Sequence, residues 1–190
     1  ASHGYIVFYD NYRGSASYGE DFALLLQGKY ASREDFQDHM SGIDHLIERG
    51  FVDADNLFIC GGSAGGIGTA YAIGLTDRFN AAVAAKPVIN WISKTLTADS
   101  YVYQTYYQFS GPPWEKFDEY WQRSPLSLMG NVVTPTMLLT GEKDRRTPIS
   151  ETEQFYQALK LKGVDAVMVR LPGSAHSIAG RPSRLLSKVG

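Results

Sequence analysis

The chain has 190 residues, 44% of them hydrophobic and 13% aromatic. That is enough to bury one sizeable core, so a single domain is expected and a disordered chain is excluded. Eighteen basic against twenty acidic residues leave a formal charge of -2, with no basic block to neutralise phosphates or anionic lipid, which points away from nucleic acid and membrane partners. No apolar run approaches the roughly 18 residues a membrane span needs, and the N-terminus lacks the basic and apolar zones of a signal peptide. A soluble, cytoplasmic protein is the expectation, a removed signal in a longer parent being the alternative. Cys60, the single cysteine, cannot form an internal disulfide and, inside an apolar run, reads as a small buried hydrophobe.

Taken in chain order, Gly4 to Tyr9 ("GYIVFY") reads as a buried strand, closed by the turn residues "NYRGS". A helical stretch follows. From Arg33 to Arg49 the apolar residues Phe36, Met40, Ile43, Leu46 and Ile47 recur every three or four positions, an amphipathic helix that Gly50 stops. "VDADN" turns the chain into an apolar run ending at Cys60. Ile67 to Leu75 then reads as a helix of small residues and Ala81 to Pro87 as a strand. Between Trp91 and Asn131 the rhythm breaks into an aromatic-rich excursion, read either as rings packed on the domain or as one wall of a substrate pocket. The alternation resumes with "TPTMLLTG" as a strand, Glu151 to Lys162 as a helix and "VDAVMVRLPG" as a strand. Continuous apolar strands separated by helices of ten or more residues imply an α/β fold, a mostly parallel sheet with helices on both faces. The chain opens on a strand and closes in a helix that has barely begun ("PSRLLSKVG"), so truncation at both ends is expected.

The chemistry centres on "FICGGSAGGIGTAYA". Gly61-Gly62-Ser63-Ala64-Gly65 fits G-x-S-x-G between a predicted strand and a predicted helix, the setting in which this motif presents a serine nucleophile. Side chains flanking the serine would clash in so tight a turn, which gives both outer glycines a steric reason. The Ala64 N–H, at the start of the following helix, is placed to meet an oxyanion. Two readings compete: a glycine-rich turn whose serine caps the helix, and a nucleotide-binding loop. The second lacks both a G-x-G-x-x-G in frame with a later acid and a Gly-Lys-Ser/Thr.

A serine hydroxyl needs a base and a group to orient that base. Of the four histidines, His3 lies near the start of the chain. His39 and His45 share one helix but stand roughly 240° apart around its axis, so they cannot chelate a metal together and are expected to be solvated or capping residues. His176, in "LPGSAHS", follows the last predicted strand, and Asp144, in "LLTGEKDRRTP", follows the strand before it. Ser63, Asp144 and His176 thus fall at the carboxyl ends of three strands, in the chain order of an α/β-hydrolase.

The blocks "NYRGSASYG", "VDADNLFICGGSAGG", "TPTMLLTGEKDRRTPISETEQFYQALKLKGV" and "LPGSAHSIAGRPS" resemble the catalytic domain of the prolyl oligopeptidase family of serine peptidases, above all its acylaminoacyl-peptidase and dipeptidyl-aminopeptidase-like branch. The resemblance covers nearly the whole chain. It implies an α/β-hydrolase in which Ser63 is the nucleophile, Asp144 the acid, His176 the base and the Ala64 N–H an oxyanion donor. It also implies that Arg146, two residues after the aspartate, helps to shape the substrate site. Ala64 stands where relatives often have tyrosine, which leaves the backbone N–H intact. The resemblance further implies short, possibly N-acylated, peptide substrates, no metal or organic cofactor, and a tendency to homo-oligomerise. The chain shows no β-propeller and no His-Gly-Gly segment for the second oxyanion donor, and one strand before the nucleophile where the family has four. Missing N-terminal segments are therefore expected. Esterase activity, or an inert fragment with a complete triad, are the alternative functions.

Overall fold

The computed structural model describes residues 3–30 and 32–177. Four strands form one parallel sheet in the order β1 (Phe58–Gly62), β2 (Ala81–Ala85), β3 (Thr136–Gly141) and β4 (Ala166–Leu171). Each strand begins within one residue of its neighbour, Phe58 facing Ala81, Ala82 facing Thr136 and Thr136 facing Ala166. All four carboxyl ends, and the loops that leave them, therefore gather along one edge.

Seven α-helices are described: α1 (Glu20–Ala23), α2 (Arg33–Glu48), α3 (Ala64–Leu75), α4 (Trp91–Thr97), α5 (Tyr101–Tyr103), α6 (Phe117–Arg123) and α7 (Ile149–Lys162). Helix α2 starts in a capping box, Ser32 and Asp35 each bonding the other's backbone, and Gly50, at φ 80°, follows its end. Helix α7 ends at Gly163 in the left-handed conformation that glycine adopts without strain. Helices α3 and α7 cover one sheet face. Ile73, Phe155 and Leu159 pack there against Ala82, Ala84 and Leu138, all 2% exposed or less. Burying a side chain such as Phe155 or Leu159 contributes about 1.5–3 kcal/mol. Small residues let α3 lie close to the sheet: a Cβ at Gly66 would stand 2.6 Å from the Ala85 carbonyl oxygen. No helix among the described residues is long and apolar enough to cross a membrane.

Three expectations need correction. Gly4 to Tyr9 is extended but joins no ladder among the described residues, and Tyr5 to Tyr9 are 39–87% exposed. β-propensity makes a strand only where a neighbouring edge lies in register. Here rings hold the segment instead, Tyr5 edge-on to Phe58 at 6.0 Å and Phe8 against Gly42 of α2. Cys60 is exposed. The β1 residues alternate between faces, and Cys60 shares its face with Phe58 and, across the register, with the exposed Val83. His39 is neither a cap nor freely solvated: its Nδ1 lies 2.7 Å from Asp10 Oδ1, and its ring meets Tyr12 edge-on.

Part of the excursion packs its rings on the domain. Trp91, Phe109 and Tyr120 pack with Ile67 and Val88 in a second buried cluster, with Phe109 and Tyr120 stacked at 3.7 Å. Tyr106, Tyr107 and Trp114 are more than 70% exposed. Buried Arg123 closes this region: its guanidinium donates to the carbonyls of Tyr30 and Gln108 and lies over the Phe109 ring.

Candidate active site

Ser63 directly follows β1 and is the N-cap residue of α3, with φ 58° and ψ -115°. A positive φ on a residue other than glycine is strained, at a cost of order 1–3 kcal/mol. The turn is held by the Ser63 N–H donating to Ala85 O at 2.9 Å and the Ile67 N–H donating to Ser63 O at 3.0 Å. A Cβ at Gly61 would collide with the Gly65 backbone, so this glycine is required by packing. Gly65 differs from expectation: a Cβ there would meet nothing within 4 Å. The second tight position is Gly66, against β2. Gly65 contributes its backbone, which fills the space a side chain at Gly61 would need.

The Ser63 side chain makes no capping bond to α3, which removes the simple capping reading. Its Oγ lies 3.0 Å from His176 Nε2, and His176 Nδ1 lies 2.8 Å from Asp144 Oδ2. The structure therefore brings together all three residues singled out from the strand ends. The Asp144 side chain is fully buried and saturated with donors: Oδ1 accepts the Arg146 and Thr147 N–H groups at 2.9 and 3.0 Å, and Oδ2 accepts the Thr147 hydroxyl at 3.1 Å. An acceptor-only carboxylate at Nδ1 selects the tautomer that carries its proton on Nδ1, which leaves the Nε2 lone pair toward Ser63. The loop that carries His176 can come this close because Gly141 has no side chain, where a Cβ would collide with the Ser174 carbonyl. The Lys143 N–H donates to that carbonyl at 2.9 Å.

Ala64 is the first residue of α3, so its N–H belongs to the helix turn that has no intrahelical acceptor, beside the Ser63 hydroxyl. Arg146 is half exposed and paired with Asp99, its Nε donating to Oδ1 at 2.8 Å. That bond holds the Asp99 carboxyl below its usual range and the guanidinium above its own. Behind this pair, burial lowers the Lys94 ammonium to about 8, with the Arg146 charge acting in the same direction. Glu151, fully buried at the start of α7, accepts the Ile89 and Asn90 N–H groups and the Ser93 hydroxyl, fixing the entry to α4. Burial pushes its carboxyl above the ordinary range.

Two residues of the site were not singled out from the sequence. Thr147 bonds Asp144 through both backbone and side chain, and its hydroxyl lies 3.3 Å from His176 Nδ1. An aspartate followed three residues later by threonine is a local signal for such a turn. Lys86 reaches the His176 carbonyl across the sheet edge, and only a charged residue at the end of a buried strand hinted at it.

A nucleophile elbow, a hydrogen-bonded Ser-His-Asp set and a parallel sheet define an α/β-hydrolase-type serine hydrolase site. The family model described as the prolyl oligopeptidase family matches residues 1–188, and the chain belongs to that family. It is 37% identical to an uncharacterized peptidase, YuxL, of Bacillus subtilis, over 100% of this chain and 29% of that protein. It is 38% identical to the acylamino-acid-releasing enzyme of Arabidopsis thaliana, over 94% of this chain and 24% of that one. Among solved structures, uncomplexed acylaminoacyl peptidase of Pyrococcus horikoshii superposes with a TM-score of 0.86 at 29% identity, over 93% of this chain and 29% of that one. A puromycin-hydrolyzing peptidase of Mycobacterium tuberculosis superposes with a TM-score of 0.82 at 28% identity, over 93% of this chain and 27% of that one. The chain thus spans 24–29% of the length of these relatives.

Proposed function

We propose that the protein is a serine peptidase that releases N-acylated residues from short peptides through an acyl-enzyme on Ser63. The observation that carries the reading is the continuous bond path from Asp144 through His176 to the Ser63 hydroxyl. His176 Nε2 takes the Ser63 proton as Oγ attacks the scissile carbonyl. Asp144 stabilises the imidazolium that forms, and the Ala64 N–H donates to the developing oxyanion. His176 then passes the proton to the leaving amine. Water, deprotonated by the same imidazole, releases the acyl group and regenerates Ser63. The substrate class rests on the names of relatives at 37–38% identity, a peptidase and an acylamino-acid-releasing enzyme.

The test is the intact mass after incubation with a fluorophosphonate, with Ser63→Ala as the control. One adduct that is lost in the control supports the reading. No adduct on a protein that melts cooperatively overturns it for this chain. Turnover of N-acetyl dipeptide amides against simple esters then distinguishes peptidase from esterase.

A further inference from the structure

We propose that Lys86 is a positioning residue of this site, fixing where His176 stands by holding the carbonyl of that same residue; this rests on the reading of His176 as the general base. Lys86 directly follows β2. It is one of three described residues other than glycine with positive φ, at 51°, and Ser63 is another. A lysine gains nothing locally from the left-handed region, and such strain persists where the surroundings over-determine it, which clusters it at functional sites.

The side chain supplies what the backbone does not. Its Cε passes within 3.6 Å of where a Cβ on Gly62 would stand, so the stem crosses the end of β1 beside the nucleophile. Its Nζ donates to the His176 carbonyl at 3.1 Å, a charge-assisted bond. The backbone bonds of the histidine loop run from Ser174 to Leu171 and from Lys143 to Ser174, and so stop two residues short of the imidazole. Among the described residues, Lys86 is the group that reaches the backbone of residue 176 itself. The Lys86 N–H is meanwhile spent on Leu139 O at 2.6 Å. One residue thereby ties together β2, β3, the approach to Ser63 and the loop of its base.

Three variants separate this role from a structural one. Lys86→Gly relieves the backbone strain and removes the tether; Lys86→Met keeps the stem without the donor; Lys86→Arg keeps a cationic donor. The expected result is that Lys86→Gly melts no lower than the wild type while fluorophosphonate labels Ser63 about 10- to 100-fold more slowly, the scale of a small misplacement of a reacting group. Lys86→Met should slow in the same way, and Lys86→Arg should recover most of the rate. Amide hydrogen exchange at His176 and Ser177 should quicken in Lys86→Met, with Lys143 unchanged. Wild-type labelling rates in both Lys86→Gly and Lys86→Met would overturn the proposal. Absence of labelling in the wild type would count against Ser63 as the nucleophile, and the exchange comparison would still decide the tether: unchanged exchange at residue 176 overturns it.

Discussion

Asp144→Asn is the most informative single change, because the structure states what it keeps and what it inverts. The asparagine carbonyl can take the place of Oδ1 and retain the Arg146 and Thr147 N–H bonds at 2.9 and 3.0 Å, so the turn into α7 survives. Alanine would instead leave these buried donors unpaired, at about 1–3 kcal/mol each, and confuse folding with chemistry. In place of Oδ2, however, an NH2 group faces His176 Nδ1 across 2.8 Å. Two donors cannot share that bond, so the imidazole must present a bare Nδ1 and carry its proton on Nε2. That N–H then points at Ser63 Oγ across 3.0 Å, and the hydroxyl loses its acceptor. The wrong tautomer lowers turnover by up to about 10⁴-fold, or about 5 kcal/mol of transition-state stabilisation. The assay is the second-order rate of fluorophosphonate labelling, followed by mass, beside a thermal melt. A folded Asp144→Asn variant that labels nearly as fast as the wild type would refute the tautomer argument and the role of Asp144 with it.

The outer glycines of the motif should respond differently. Gly61→Ala drives a Cβ into the Gly65 backbone and should lower stability by about 1–3 kcal/mol as overpacking. Gly65→Ala meets open space inside α3 and should be neutral or stabilising by up to about 1 kcal/mol in a denaturant melt. Glu151 has its folded-state value raised by burial, so its contribution is fully present below the ordinary glutamate range of about 4.3 and is lost as pH rises through the raised value. Glu151→Gln should therefore flatten the decline of melting temperature with rising pH; an unchanged slope would count against this. Lys94 has the opposite sign. With a folded value near 8 against about 10.4 unfolded, its deprotonation makes stability climb between those two pH values. Lys94→Met should lose that climb and melt no lower than the wild type at pH 7.

Sequence by itself determined the alternation of elements, because buried parallel strands are written as continuous apolar runs and α2 as a three-and-four repeat. It also singled out the candidate triad. Ser63, Asp144 and His176 had to lie at strand ends, and parallel strands put every carboxyl end on one edge. Their order and the glycines around the serine were local features, readable one residue at a time. What only the tertiary structure decided were contacts between segments far apart in the chain. Whether Gly4 to Tyr9 joins a sheet depends on an edge in register, which propensity does not encode, and those residues join no ladder among the described residues. Whether Cys60 is covered depends on what lies over its face of β1. That Gly61 and Gly66 are tight while Gly65 is open follows from where α3 meets β2. The Lys86 bond to His176 spans 90 residues of chain; no spacing rule relates two such positions until the sheet sets their strand ends side by side.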